Sequence, residues 1–562
     1  MKIAKIIILA IIPFLAAAIA YSQETVVLQA MKSELSRIEK ELSKEETPPY
    51  FLSYSINEVE SVTITAQFGN IVTNKESHKR TLDIDLRVGD HEFDNTHIIR
   101  GQPFSFGGSF GAHTIPIEDS EAAIKDAIWY ATDATYKSAI ERYEKALTNK
   151  AVKVQEEDTS ADFSYEKPVK SIDKKIPFEF DAEKWEDKIR EISTVYIGND
   201  WLYSGQVSIQ AQVTTKYFVS SEGAQIQFSE PYFRIFLSGK TKADDGMSLP
   251  LYKSYFAFSP ADFPDIATMK KDCKEMISML SALREAPLFT ETYSGPAILS
   301  GEASGVFFHE IFGHRIEGHR LKDPSDAQTF KQSIGEEVLP EFMNVDMDPT
   351  KKVLGGYDLS GYYKFDDEGI NAQRVEVVKD GIFQSFLMSR SPIEGFDKSN
   401  GHGRKQAGFR AVSRQSNLIV SANDYKPIDE LREELIELCE DQEKEYGLYF
   451  IKVQGGFTFT GRSIPNSFNV NPLIVYKVFT DGRPDELVRG VDLIGTPLTT
   501  FSNIVAAGDD IGVFNGICGA ESGGVPVSAC SPSLLVSKIE VQKKAKSQAK
   551  TPILTAPTKK EN

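Results

Sequence analysis

The stretch that most constrains the fold of this chain is residues 301–320, GEASGVFFHEIFGHRIEGHR, in which three of the eight histidines lie within eleven residues. Residues 305–312 (GVFFHEIF) are apolar except for the neighbouring pair His309 and Glu310. An unpaired donor or charge on a buried helix is costly, by roughly 1–3 kcal/mol or more. A fold that buries this run must therefore supply partners for an imidazole and for a carboxylate.

A metal ion for the imidazole and a bound water for the carboxylate would be suitable partners. A His-Glu pair followed by a second His is typical of zinc peptidases, in which two imidazoles hold the ion and the Glu takes a proton from water. Here His309 and His314 are five residues apart, which separates them by about 140° around a straight helix, whereas the usual spacing of four gives about 40°. Gly313 can bend or unwind the backbone at this point, and a π-type bulge would also bring the rings together.

Two questions stay open at this stage. Such a metal site needs a third ligand from elsewhere in the chain, since two imidazoles do not complete it. The alternative is that His309 makes a hydrogen bond inside the core, while His314 and His319 are surface residues beyond the end of the helix.

The length and charge of the chain limit its class. At 562 residues the chain is too long for one hydrophobic core and predicts two or three domains. The hydrophobic content of 41% and charged content of 26% are those of an ordinary soluble globular protein. The net charge of −18 is spread through the chain and argues against a nucleic-acid partner, which requires a basic face.

Residues 1–22 have the pattern of a secretory signal peptide. Lys2 and Lys5 precede an apolar run over residues 6–19, and small residues follow it. The run is short for a membrane-spanning helix, which favours a cleaved signal over a retained anchor. We therefore expect export to the periplasm or the extracellular space, with no stable membrane span after cleavage.

Export makes the four cysteines important, because an oxidising compartment permits disulfides. Cys273 and Cys439 lie in amphipathic helical runs, where a buried free thiol is expected. Cys518 lies in GICGAESGG, where flanking glycines allow its sulfur to approach another group closely. Cys530 is predicted either to pair with Cys518 or to be a small core residue.

Hydrophobic periodicity predicts an α+β fold. Residues 24–285 read as an N-terminal α+β domain with an antiparallel sheet, long helices and insertions. Its predicted segments are a surface helix at 24–48, strands at 50–100, a Gly/Phe loop at 101–111, a long helix at 120–147, an exposed connection at 149–175, a helix at 181–192 and a closing helix at 263–284.

After the predicted boundary near residue 285, the chain is rich in glycine and in turn signals. Residues 286–541 are predicted to form a largely antiparallel β domain that carries the His-Glu helix and a second helix near 428–441. Residues 542–562 are rich in Lys, Pro and Thr, and we expect them to be a disordered tail.

Several separated segments resemble the TldD/PmbA family of metallopeptidases, in particular its TldD branch. Their order and spacing are similar to the family pattern, whereas the N-terminal part is a weaker match with insertions. The segments are HEIFGHRIEG at 309–318, FDDEG at 365–369, VVKDGIFQSFLMSR at 377–390, RQSNLIV at 414–420, VRGVDLIGTPL at 488–498 and GDDIGVFNGICGAESGGVPVSACSPSLLVSKIEV at 508–541.

This resemblance implies a metal held by His309, His314 and Cys518, with Glu310 as the general base. One thiolate and two imidazoles suit zinc best, with iron also possible, and leave a fourth position for water. Glu317 matches the E-G of the family motif, and we predict that it orients a ligand histidine. His319 stands where relatives tend to have Asp, so we interpret it as a residue of the outer site or the surface.

The resemblance also implies the activity, which is metal-dependent hydrolysis of extended or unfolded peptides. A β-rich domain can take such a peptide as an extra strand, and the Gly-rich runs at 453–461 and 521–527 are either walls of a cleft or simple turns. Arg404, Arg410 and Arg414 are candidates for binding a peptide carboxylate, although surface charge is the more ordinary interpretation.

The family associates in pairs, so we expect a homodimer or a heterodimer with a family relative. Two alternatives to the active enzyme remain. One is a catalytically silent binding or scaffold subunit, like the PmbA-type branch that lacks the metal motif. The other is a Cys518–Cys530 disulfide with no metal, which would abolish catalysis.

Overall fold

A computed structural model describes residues 24–99, 112–152, 158–323, 326, 328–458, 468–494 and 500–544. The predicted signal peptide, the Gly/Phe loop at 101–111 and residues 545–562 of the predicted tail lie outside these ranges. The helices within them are α1 Val26–Leu42, α2 Glu121–Val152, α3 Ala182–Ser193, α4 Ile266–Glu285, α5 Gly301–Ile311 and α6 Ile428–Asp441. None of these helices is both long and apolar enough to cross a membrane.

The strands fall into an N-terminal and a C-terminal group. The first group is β1 Pro49–Gln67, β2 Asn70–Val88, β3 His113–Ile115, β4 Lys170–Ile172, β5 Ser204–Ser220, β6 Gln225–Lys242 and β7 Ser248–Ala257. The second group is β8 Tyr293–Leu299, β9 Met343–Met347, β10 Val353–Leu354, β11 Tyr357–Asp358, β12 Val375–Lys379, β13 Ile382–Phe383, β14 Gly403–Arg404, β15 Val412–Ser413, β16 Asn417–Ala422, β17 Tyr446–Thr458, β18 Phe468–Phe479, β19 Glu486–Val488, β20 Val491–Ile494, β21 Ile504–Ala507, β22 Gly512–Ala520, β23 Gly523–Ser531 and β24 Leu534–Lys543.

The seven N-terminal strands form one sheet in the order β3-β2-β1-β5-β6-β4, with β7 paired to β6. All pairings are antiparallel except that of β4 with β6. Because side chains alternate along a strand, the even-numbered residues of β1, such as Tyr54 and Ile64, share one face. That face packs under α1 and α2 at one end and under α3 and α4 at the other. The opposite face carries more polar residues, such as Ser53 and Gln210, and borders two cavities described below.

The predicted connection at 149–175 is wrong in part. Residues 149–152 continue α2, and Lys170–Ile172 forms β4. The polar sequence of β4 has no strand pattern, because its order comes from pairing with the edge of β6 and not from burial of an apolar face.

Helix α5 lies between two C-terminal sheets, which explains why it is apolar nearly all round. One sheet has the order β13-β12-β9-β16-β23-β22, and the other has the order β17-β8-β24-β20-β18-β19, with β21 paired to β24. The helix contacts β17 of the second sheet and the β22–β23 hairpin of the first. Most pairings are antiparallel, as predicted, but β16–β23 and β17–β8 are parallel.

Candidate metal centre

The His-Glu helix ends between the two motif histidines. Helix α5 begins after Ser300, whose Oγ accepts a hydrogen bond from the Ala303 amide at 3.3 Å, and it ends at Ile311. A 3₁₀ turn, Gly313–Arg315, follows directly. This tighter turn, and not a π bulge, brings the rings of His309 and His314 to 5.1 Å between centroids.

Gly313 is needed for space and not for an unusual backbone angle. A Cβ placed on it would lie 1.9 Å from Oε1 of Gln415. The same Gln415 side chain donates from Nε2 to the His309 carbonyl at 3.1 Å, so it fastens the end of the helix. Gly305 is also close to its neighbour, since a Cβ there would lie 2.8 Å from the Ala529 carbonyl oxygen of β23. Small residues therefore allow α5 to approach the β22–β23 hairpin closely.

That approach brings Cys518 to the histidines. Cys518 lies on β22 opposite Val525 of β23, and its Sγ is 3.4 Å from Nε2 of His314. One donor atom each from His309, His314 and Cys518 lie within 4.8 Å of one another, and all three residues are buried. The structure thus brings together the three residues that the resemblance singles out. Of these, His314 and Cys518 are 204 residues apart in the sequence.

The donor set fits a zinc ion. Zn–S and Zn–N bonds of about 2.3 and 2.1 Å at a tetrahedral angle place sulfur and nitrogen roughly 3.6 Å apart, close to the separation found here. Burial alone would raise the pKa of the Cys518 thiol, but His314 and His309 lower it well below its usual value. Burial alone would lower the pKa of His314, but the Cys518 thiolate and Glu317 raise it well above its usual value. The thiolate therefore favours a cation beside it.

Nδ1 of His309 also lacks a hydrogen-bond partner among the described residues, and it is buried. Such atoms are rare in folded proteins and indicate a site for a further partner, such as a metal ion. A ligand at this cluster would give the histidine the partner that it lacks.

Glu317 orients His314 from the side away from Cys518. Its Oε2 is 3.2 Å from Nδ1 of His314 and accepts hydrogen bonds from Arg320 at 2.9 and 2.8 Å. Burial would raise the pKa of Glu317, but His314 and Arg320 lower it to about 2. An ionised carboxylate at Nδ1 leaves Nε2 of His314 to face the thiolate, which is the arrangement that supports a metal-ligating imidazole.

Arg414 fixes the hairpin that carries Cys518. It is fully buried, its Nη2 donates to the Cys518 carbonyl at 2.8 Å, and its Nη1 donates to Ser522 Oγ and the Gly523 carbonyl at 2.7 and 3.0 Å. Its Nε lies 3.4 Å from Oε1 of Glu317. One side chain thus joins the sulfur-bearing strand to the carboxylate behind His314.

The interpretation of Arg404, Arg410 and Arg414 as surface charge is wrong. Arg404 is buried and donates to the Gln415 carbonyl at 2.6 Å, and Arg410 is partly buried between the N-terminal sheet and the C-terminal region. Tertiary contacts bury this loop-rich stretch, and its local composition does not reveal them.

His319 lies outside the ligand cluster and pairs with Glu521, which also accepts from Arg320 at 3.1 Å. The sequence did not single out Arg320 or Glu521. A usable signal was present for Glu521, an acidic residue three positions after Cys518 in a Gly-rich turn. No such signal marked Arg320.

Glu310 is buried at the end of α5, directly after His309. Its backbone carbonyl accepts from Nη1 of Arg315 at 3.1 Å. Its carboxylate forms no hydrogen bond or ion pair with another described residue. Its charge acts on the neighbouring Arg315.

A Cys518–Cys530 disulfide is incompatible with the hairpin register. Cys518 is opposite Val525, whereas Cys530 is opposite Val513, five residues further along the ladder. At about 3.4 Å per residue, this separates the two by roughly 17 Å, and a disulfide needs Cα atoms within about 7 Å. All four cysteines are buried free thiols, as predicted for Cys273 and Cys439.

A large cavity of about 790 Å³ adjoins the hairpin. It lies between the polar face of the N-terminal sheet and residues Ile517, Gly524 and Val525 of the hairpin. Ile517, next to Cys518, is 54% exposed. Strand β22 is at the edge of its sheet, so its outer backbone groups are not paired with another described strand. Of the two Gly-rich runs, 521–527 contributes to this wall, and 453–461 is described only as far as residue 458.

Comparison with known proteins finds a family that is similar to the C-terminal region. Residues 290–543 match the family described as "PmbA/TldA metallopeptidase C-terminal domain". This part of the chain is therefore similar to a PmbA/TldD-type metallopeptidase C-terminal domain, the family that the sequence segments resemble. The match does not extend to residues 1–22 or distinguish the branches of the family.

Two curated relatives bear the name metalloprotease. The one from Archaeoglobus fulgidus is 32% identical over 238 residues, which are 42% of this chain and 51% of that protein. The one from Methanothermobacter thermautotrophicus is 27% identical over 343 residues, which are 60% of this chain and 69% of that protein. The match thus spans about half the length of the first relative.

The fold is similar to that of TldE from Thermococcus kodakarensis. The TM-score is 0.61 at 12% sequence identity, over 91% of this chain and 100% of that chain. This similarity shows the fold of nearly the whole chain and, at this identity, nothing about its chemistry.

Proposed function

We propose that the protein is an exported, zinc-dependent peptidase that hydrolyses extended or unfolded peptides. The observation that carries the proposal is the buried cluster of His309, His314 and Cys518. Glu310 directly follows His309 on helix α5. The names of the two curated relatives support a metal-dependent peptidase.

In this proposal His309, His314 and Cys518 hold the metal, zinc in preference to iron because of the thiolate and two imidazoles. When bound, the ion would polarise the scissile carbonyl and make a water molecule more acidic. Glu310 takes a proton from the attacking water and returns it to the leaving amine, a role typically worth about 10²–10⁴-fold in rate. Glu317 and Arg414 keep His314 and Cys518 in position.

The peptide binds in the cavity of about 790 Å³ as an added strand along the edge of β22, on the part of the strand after Asn515, whose carbonyl already accepts from Arg234 at 2.9 Å. Backbone pairing is largely independent of side-chain identity, which suits a broad range of unfolded substrates. Ile517 lines this cavity and Cys518 is the next residue of the same strand, so a peptide aligned along β22 would lie against the strand that carries a proposed metal ligand.

The proposed assembly is a pair of chains, either a homodimer or a heterodimer with a relative of the TldE kind, in keeping with the fold similarity. The proposed location is the periplasm or the extracellular space, on the basis of residues 1–22. A buried thiolate that is bound to a metal is protected from oxidation in such a compartment.

The test is the metal content of the signal-free protein, purified without chelator, for the wild type, Cys518→Ser and Cys530→Ser. Both cysteines are buried on the same hairpin, so the second variant is a matched control. We expect about one zinc or iron per chain in the wild type and in Cys530→Ser, and a large loss in Cys518→Ser. Full occupancy in Cys518→Ser would place the third ligand elsewhere, and a metal-free wild type without peptidase activity would favour a silent binding subunit.

A further inference from the structure

A second cavity, of about 420 Å³, lies between the N-terminal sheet, helix α2 and the loop at residues 405–411. Its described lining includes none of the proposed metal ligands. Part of its wall is apolar, formed by Phe51, Ile84, Leu86, Phe163, Phe218 and Phe409. The volume is within the range of sites that hold small organic molecules.

Two arginines are held side by side in this cavity. Nε of Arg142, on α2, donates to the Asn95 carbonyl at 2.6 Å, and Nη1 of Arg410 donates to the next carbonyl, that of Thr96, at 3.4 Å. Both arginines line the cavity, and the charge of Arg142 acts on Arg410. Neither arginine forms an ion pair with a carboxylate of the described residues. Their remaining N–H groups are thus available to an acceptor.

The scaffold around the arginines is fixed. Asn95 is buried, accepts from the Val88 amide at 2.9 Å and donates to the Leu86 carbonyl at 3.2 Å. The loop that carries Arg410 is tied to Asp83, which pairs with Lys405 at 3.0 Å and accepts from the Gly408 amide at 2.8 Å. Both arginines are therefore presented by anchored backbone, which lowers the cost of binding.

The carboxylates of the cavity wall are already engaged. Asp83 is bound to Lys405, Asp85 to Arg87 at 3.1 Å, and Asp367 to Lys216 at 3.2 Å. Glu368 accepts from the Arg390 amide at 2.7 Å. None of these four carboxylates forms an ion pair with Arg142 or Arg410, although Asp85 acts on Arg410 from a longer range.

The electrostatics agree with this geometry. Burial is the main cause that lowers the pKa of Arg142 and the pKa of Arg410. The charges of Arg87 and Arg142 lower the pKa of Arg410 further, whereas Asp94 opposes the shift at both arginines and Asp85 opposes it at Arg410. Like charges in a partly buried site repel each other, and an anion between them would relieve that repulsion.

We propose that this cavity binds a small molecule that carries a carboxylate on an apolar body. The carboxylate accepts from Arg142 and Arg410, and the apolar part packs against the phenylalanine side of the wall. Planar, forked guanidinium groups suit a carboxylate in geometry as well as in charge. The carboxylate can belong to the C-terminal residue of a short peptide or to a free aliphatic acid. This inference is independent of the metal centre.

The test is calorimetric titration of the signal-free chain with N-acetyl-L-phenylalanine, its uncharged amide, and octanoate. The wild type is expected to bind at least one of the two acids. If the ligand is the C-terminal residue of a peptide, the wild type should bind N-acetyl-L-phenylalanine at least tenfold more tightly than its amide. Tight binding of octanoate alone would assign the site to aliphatic acids. Failure of both acids to bind would overturn the proposal.

Arg142→Gln and Arg410→Gln keep a side-chain donor for the Asn95 and Thr96 carbonyls but lose the charge. Each is expected to weaken acid binding at least tenfold and to leave amide binding unchanged. Arg410→Lys, which keeps the charge, should retain part of the affinity and guards against a misfolded variant. Undiminished acid binding in both glutamine variants would overturn the proposal.

Two controls isolate this site. Arg374→Gln removes an exposed arginine that pairs with Asp346, and it should bind the acids like the wild type. Cys518→Ser should also retain acid binding, which separates this cavity from any carboxylate binding at the metal centre. Loss of acid binding in Cys518→Ser alone, with the arginine variants unaffected, would assign the binding to the metal centre and refute this inference.

Discussion

In two groups of described residues, a histidine and other potential metal ligands lie within 4.8 Å of one another. The two groups differ in how far their charged and polar atoms are paired with other residues. One group is His309, His314 and Cys518, and the other is Glu58, Glu60 and His78. The Glu58 carboxylate already receives Arg80, Tyr217 and Lys175, each at 3.1 Å, and His78 at 2.9 Å.

The first group is compensated only in part, because His314 contacts Glu317 and the Cys518 sulfur but Nδ1 of His309 has no partner among the described residues. Its thiolate faces two imidazoles in an apolar layer between two sheets, and one imidazole nitrogen is buried without a partner among the described residues. The Glu58 group, in contrast, is a satisfied ion network with His78 at its exposed side. The difference teaches that proximity of ligand types is not sufficient for a metal site, and that an unmet electrostatic need is the better indicator.

The largest expected effect is on catalysis. Glu310→Gln keeps the size of the side chain but cannot accept a proton, so peptide hydrolysis should fall by about 10²–10⁴-fold while the metal is retained. His78→Gln, in the other group, should change neither. Peptide cleavage and metal content measured on the same preparations check both statements, and unimpaired cleavage by Glu310→Gln would remove Glu310 from the mechanism.

The next effect is on metal affinity. Glu317→Gln weakens the hold on Nδ1 of His314, and we expect a loss of about 10–100-fold in zinc affinity. Glu60→Gln makes the same chemical change in the Glu58 group and should leave zinc affinity unchanged. Competition with a chromophoric chelator measures both. Equal zinc affinity in the two variants would contradict the positioning role of Glu317.

A smaller effect concerns the packing of the metal centre. Gly313→Ala forces a Cβ to within 1.9 Å of Gln415, so the free energy of unfolding should fall by about 1–3 kcal/mol. Gly519→Ala is the matched control, because nothing lies within 4 Å of its added Cβ, and it should stay within about 0.5 kcal/mol of the wild type. Denaturant unfolding compares the two, and equal stabilities would show that Gln415 moves aside freely.

The smallest expected effect is the contribution of Glu58 to the pH dependence of the free energy of unfolding. Burial acts to raise the pKa of Glu58, but His78, Arg80 and Lys175 lower it below its usual value. A carboxyl group with a lowered folded-state pKa stabilises the fold above its unfolded value, about 4.3, and loses this contribution as the pH falls through the folded value.

Urea unfolding of the wild type and Glu58→Gln between pH 7 and pH 3 measures this contribution. The stability difference between the two should be constant near neutral pH and shrink below about pH 4.3. A difference that does not change with pH would mean that Glu58 is not ionised in the folded protein.

Much of the secondary structure was predictable. The periodicity of residues 428–441 predicted α6 with its observed bounds, and the predicted helices at 120–147 and 263–284 correspond to α2 and α4 within a few residues at each end. These helices carry one buried stripe that recurs with the helical period, so their pattern is local. Strand β4 escaped prediction because its order comes from a partner strand.

The sequence by itself determined the His-Glu pair and the five-residue spacing between His309 and His314. It also determined that a buried imidazole and a buried carboxylate need polar partners. The tertiary structure decided how that need is met. The 3₁₀ turn, the close approach of α5 to the hairpin and the buried Arg414 bring Cys518 to His314 across 204 residues of sequence. No local pattern encodes such a contact, because it depends on the packing of two sheets against one helix and on charges that are distant in the chain.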